Sequence, residues 1–232
     1  MTASWIFIAM ALVVAAGAYW MISNRTPESE YVSTYIPSTP ESAPPAPAAI
    51  FLGDSYTEGV RATEHAARYT TILCTELSWR CEVNGQGGTG YTNPGQSSQS
   101  ESVYRDRIEL FRETSPAIVV VQGSTNDSGV ESDVKAAADA VFIDLRGQFP
   151  DAEIVAVGPF AAPGVDLDRV AANHRAVADA AAENGVHFID PIGENWLPDA
   201  SLYSDDQIHP NDAGYRVIAD RLAQALTGIT QG

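Results

Sequence analysis

The chain predicts an α/β fold, with a parallel sheet covered by helices on both faces. Two observations carry this. Continuous apolar runs recur at residues 48–52, 117–121 and 154–157, and a continuous run marks a strand buried on both sides. Longer segments with apolar residues at helical spacing stand between them, so strands and helices alternate along the chain.

Each element has its own reason. Ala48-Ala49-Ile50-Phe51-Leu52 reads as the first strand, and Gly53-Asp54-Ser55 closes it. Ala66 to Ser78 is helix-like through Ala67, Ile72, Leu73 and Leu77, and Arg80 to Asn84 is a short second strand. Val103 to Arg112 is helix-like, and the β-branched run Ala117 to Val121 is the third strand. An alanine-rich helix over Val134–Phe149 is ended by Pro150, and Glu153 to Val157 is the fourth strand. Leu167 to Asn184 is helical with Gly185 as its stop, and Val186 to Asp190 is the last strand. Asn211 can cap a final helix running through Leu226.

The 232 residues suffice for one domain with a real core plus appendages. A 45% apolar content excludes global disorder, and a net charge of −17 argues against nucleic acid as a partner. Ahead of the domain, Trp5 to Ile22 carries no charge. This length is expected to make residues 1–23 a transmembrane anchor, or a signal peptide cleaved near Ala16-Gly17-Ala18. Trp5, Tyr19 and Trp20 near its ends favour the anchor. Residues 24–47, with Pro27, Pro37, Pro40, Pro44, Pro45 and Pro47, read as an extended linker, and residues 48–232 as the folded domain. Arg25 alone would put the carboxyl side in the cytoplasm, whereas the cysteines and the linker argue for export, which leaves orientation open. Cys74 and Cys81 are too few for a zinc site and are expected to pair if the domain is exported.

Chemistry gathers in the loops. Ser55 follows the first strand, where α/β sheets place their ligands, and is a candidate nucleophile. It then needs a base, an orienting acid and oxyanion donors. Of the four histidines, His65 and His174 lie in helical contexts and His187 in a strand. His209 lies in a polar loop after the last strand, three residues beyond Asp206, so one turn can carry base and acid. Pro210 would stiffen that turn. Oxyanion donors can come from the glycine loop at residues 84–90 and from Asn126 after the third strand. Gly85 to Gly90 also fits G-x-G-x-x-G, but turn residues rather than a helix follow it, so a dinucleotide site is not expected.

Serine, glycine, asparagine and Asp-x-x-His thus stand in that order, each after a strand. This resembles the SGNH or GDSL hydrolase family over nearly all of Ala48 to Leu226. Gly53-Asp54-Ser55 looks like its first block, Gly88 its second, Asn126-Asp127 its third and Asp206-x-x-His209 its last. One departure is Ser124, which stands where the third block usually has glycine. The resemblance implies a three-layer α/β/α sandwich of flavodoxin-like type and a serine esterase or lipase that needs no metal or cofactor. Ser55 would attack the ester carbonyl, His209 would act as base and then acid, and Asp206 would orient His209. The Ser55 and Gly88 amides and the Asn126 side chain would hold the oxyanion. Small-molecule, lipid or glycan esters are the implied substrates, with a membrane met through the N-terminal segment. An O-acyltransferase acting on a cell-envelope glycan would carry the same residues, and a non-catalytic binding module is the remaining alternative. Tyr56, Tyr91 and Trp196 are candidates to line a cleft, though aromatic residues are more often core.

Overall fold

A computed structural model of the protein describes residues 3–24, 46–95 and 102–230. The chain divides into two compact units, Met1–Pro44 and Pro45–Gly232. The first contains one helix, α1 (Ala3–Ser23). The expected membrane span is not supported: among the described residues no helix is long and apolar enough to cross a membrane. Apart from its ends, the proline-rich linker lies outside the described residues.

The second unit alternates strands and helices: β1 (Ala48–Gly53), α2 (Ser55–Glu58), α3 (Tyr69–Glu76), β2 (Arg80–Gly85), α4 (Tyr104–Arg107), β3 (Ile118–Gln122), α5 (Glu131–Gln148), β4 (Glu153–Val157), α6 (Leu167–Glu183), β5 (His187–Ile189) and α7 (Asp212–Thr230). The five strands form one parallel sheet in the order β2-β1-β3-β4-β5. Their ends are level. Gly53 pairs with Gly85 on one side and Gln122 on the other, Gln122 with Val157, and Val157 with Ile189. Every loop that follows a strand therefore leaves from one edge. The order reverses between β1 and β3, where open α/β sheets hold their ligands.

Alternation along the buried strands divides the core in two. Ile50 and Leu52 of β1, Val119 and Val121 of β3, and Ile154 and Ala156 of β4 face Tyr104, Val141, Phe142, Val177 and Ala180. Ala49 and Phe51, Ile118 and Val120, and Val155 and Val157 face Tyr69, Leu73, Tyr215, Ile218 and Leu222. Helices α4, α5 and α6 thus cover one face and α3 and α7 the other, making three layers.

Two expected helices are broken. Residues 66–78 hold a 3-10 turn at His65–Ala67, then an extended Arg68 (φ −70°, ψ 139°) before α3 begins. Residues 103–112 hold α4 followed by a 3-10 turn at Ile108–Phe111. Helix α5 starts before the expected Val134, with Glu131 and Asp133 in a first turn that favours acidic side chains. At α7 the expected cap is present, since Asn211 Oδ1 accepts the Gly214 amide at 3.1 Å. Cys74 and Cys81 form a disulfide joining α3 to β2.

Candidate active site

The site is built from strand ends outward. A Cβ on Gly53 would overlap the Thr57 side chain and lie 2.9 Å from the Gln122 carbonyl, and one on Gly85 would overlap the Glu58 backbone. These two glycines let α2 sit directly on the ends of β1 and β2. Asp54 caps α2 by accepting the Tyr56 amide at 2.9 Å, which places Ser55 at the helix's first position, 7% exposed.

Ser55 Oγ lies 2.9 Å from His209 Nε2, and His209 Nδ1 lies 2.8 Å from Asp206 Oδ2. An ionised carboxylate can only accept, so Nδ1 carries the proton and Nε2 is left to accept the serine hydroxyl. Asp206 and His209 share one short loop. Tyr203 and Pro210 pair across its base, the Ser204 amide donates to the His209 carbonyl at 2.8 Å, and the Asn211 side chain donates to the Ser201 and Tyr203 carbonyls. Burial alone would push the Asp206 carboxyl up. Hydrogen bonds from the His209 amide and ring, the Ile208 amide and the Ser204 hydroxyl outweigh it and hold that carboxyl well below the usual range. Asp205, the neighbouring acid, is 84% exposed and lies 3.6 Å from Arg61.

The glycine loop passes beside the serine, since a Cβ on Gly87 would lie 3.8 Å from Ser55 Cβ. The Gly87 amide donates to Glu58 Oε2 at 2.7 Å, whereas the Gly88 and Ser55 amides meet no acceptor among the described residues. Asn126 Nδ2 donates to the Thr89 carbonyl at 3.0 Å, leaving a second N–H on that nitrogen. After Gly90 the chain turns back, with the Gly90 amide on the Asn93 carbonyl and Thr89 bridged to Pro94. No helix opens there, so the G-x-G-x-x-G run lacks the context of a dinucleotide site.

Residues other than Ser55, His209 and Asp206 hold these loops. Asp127, fully buried, accepts the amides of Tyr91, Thr92 and Asn93 and the Thr92 hydroxyl, tying the glycine loop to the end of β3. Arg107, 1% exposed, donates to the Gly53 carbonyl, to the Asn84 carbonyl and side chain and to Thr89 Oγ1, and lies over the Tyr104 ring. Burial pushes its guanidinium down, opposed by Tyr104 and Asp54. Beneath the serine, the Gln122 amide nitrogen lies 2.8 Å from Thr57 Oγ1 and 3.0 Å from Asp54 Oδ1, the orientation in which both ends of the amide find partners. Ser124 has φ 97°, so a serine occupies the backbone conformation that suits the family's glycine. A side chain held there costs about 1–3 kcal/mol, and among the described residues the buried Ser124 hydroxyl meets no partner.

The structure separates the remaining candidates from this centre. His65 meets Thr71, His174 meets Asp190 and His187 meets Glu153. Tyr56, Tyr91 and Trp196 are core residues at 1%, 2% and 1% exposure and do not line a cleft.

A hydroxyl, an imidazole and a carboxylate in line, at the level ends of a parallel sheet, define a class: ester-bond hydrolases of the α/β/α type. The chain belongs to the GDSL-like lipase/acylhydrolase family, whose model matches residues 51–217. It is 30% identical over 188 residues to a GDSL lipase of Mycobacterium tuberculosis, covering 76% of this chain and 80% of that protein. Solved structures share the fold. A member of the lipolytic G-D-S-L family from Veillonella parvula matches with a TM-score of 0.61 and 18% identity, covering 78% of this chain and 99% of that one. A family two carbohydrate esterase from Clostridium thermocellum, solved with cellohexaose, matches with a TM-score of 0.62 and 21% identity, covering 81% of this chain and 66% of that one.

Proposed function

We propose that the protein is a serine esterase that works through an acyl-enzyme on Ser55. The observation that carries this is the unbroken chain from Ser55 Oγ to His209 to Asp206, at 2.9 and 2.8 Å. Ser55 Oγ attacks the carbonyl carbon while its proton passes to His209 Nε2. The imidazolium is held by the Asp206 carboxylate. The oxyanion is met by the Ser55 and Gly88 amides and by the Asn126 N–H not taken by Thr89. His209 then returns the proton to the leaving alcohol, and the acyl group stays on Ser55. Water, deprotonated by His209, attacks the acyl-enzyme, and the carboxylic acid leaves as the proton goes back to Ser55.

The wild-type protein is expected to hydrolyse p-nitrophenyl acetate and butyrate. Ser55→Ala is expected to lose about 10⁴-fold or more in kcat, the scale of losing a triad member. Equal rates in the two proteins would sink the proposal. The printed descriptions of the relatives, a lipase and a carbohydrate esterase, make lipid and acetylated saccharide esters the next substrates to try.

Export of the catalytic unit is part of the proposal. It is supported by the Cys74–Cys81 disulfide and by an uncharged stretch near the N-terminus. Alkylation of the protein in intact cells before reduction should leave both cysteines unlabelled. Labelling of both would remove the support.

A further inference from the structure

We propose that Arg61 is a positioning residue for the catalytic base, an inference that rests on the triad reading of Ser55, His209 and Asp206. The Asp206 carboxylate takes five donors. Oδ1 accepts from the Ser204 hydroxyl and from the amides of Ile208 and His209, each at 2.9 Å. Oδ2 accepts from His209 Nδ1 at 2.8 Å and from Arg61 Nε at 3.0 Å. Four of these donors belong to the loop that carries Asp206. Arg61 alone reaches it from the segment that follows the nucleophile.

Two N–H groups therefore converge on one oxygen. The arginine fixes how the carboxylate is turned toward the imidazole, and it draws off part of the charge that Oδ2 would otherwise direct to His209. Its backbone points the same way. Arg61 has φ 72°, in the left-handed region where a long side chain is unusual and glycine is at ease. An arginine kept against that preference spends its side chain on Asp206 and, at 3.6 Å, on Asp205.

Folding does not depend on this pair. Arg61 is 48% exposed, where an ion pair adds little stability. Three other contacts already join the same segments: Tyr56 Oη to the Ile208 carbonyl at 2.6 Å, the Thr63 amide to Asp212 at 2.9 Å, and Tyr215 Oη to the Val60 carbonyl at 2.7 Å.

Arg61→Gly in the full-length protein removes the side chain and suits the backbone, so the thermal midpoint should hold or rise. We expect kcat on p-nitrophenyl acetate to fall about tenfold, the scale of one charge-assisted hydrogen bond, with KM within about twofold. The proton NMR resonance of the His209 Nδ1 hydrogen should move, and Arg61→Lys should recover part of the rate. Unchanged kcat with an unmoved resonance would overturn the proposal. So would a kcat loss that tracks a loss of thermal stability while the resonance stays in place. If the wild-type protein hydrolyses no ester, the acyl-enzyme reading fails, yet the resonance still decides the contact of Arg61 with the base.

Discussion

Asp54 lies between the last residue of β1 and Ser55 and is fully buried. Its carboxyl is pushed up from 3.8 to about 7, first by burial and further by Asp127, against the Tyr56 amide, the Gln122 amide and Arg107. The folded protein thus holds this proton more tightly than the unfolded chain. The resulting stability is complete below about pH 4 and is lost as pH rises through about 7; the rise from 3.8 to about 7 is worth roughly 4 kcal/mol at most. Asn can still cap α2. Asp54→Asn should therefore lose less stability than the wild type between pH 5 and pH 8 in urea unfolding, and equal losses in both proteins would refute the assignment. Asp54 was legible in the sequence as part of a motif. Arg61, Arg107, Glu58 and Gln122 were not, because each acts on a residue far along the chain and no local spacing marks it. Ser55, Asp206 and His209 were legible because their loops follow recognisable strands in a fixed order.

At the scale of elements, the strands were read to within about one residue at most ends. β1, β3 and β4 are buried on both faces, so their composition carries the signal directly. Apolar spacing continues through Arg68 although the backbone there is extended, and through Ile108 although the helix there tightens to a 3-10 turn. The disulfide explains how α3, only Tyr69–Glu76, is held beside the edge strand β2. With seven residues of separation, the loop-entropy estimate gives roughly 2.5 kcal/mol for the bridge. Replacing both cysteines with alanine should lower unfolding stability by about that amount while leaving the far side of the sheet, β4 and β5, protected in hydrogen exchange. An unchanged stability would show that packing alone holds α3.

Over the whole molecule, a net charge of −17 spreads across a surface that will repel polyanions and favour neutral or cationic esters at low salt. The fold places the first strand of the sheet unit inside the sheet, between β2 and β3, with the loop of His209 and helix α7 against it. Ser55 and His209 are 154 residues apart in sequence, yet they share a hydrogen bond. Contacts from Tyr56, Val60 and Thr63 to Ile208, Tyr215 and Asp212 repeat the same long closure. This bears on the order in which the polypeptide is made. A ribosome releases Ser55, the glycine loop and the five described strands before it releases His209. A nascent or C-terminally clipped chain that stops before His209 therefore holds Ser55 without that hydrogen-bond partner.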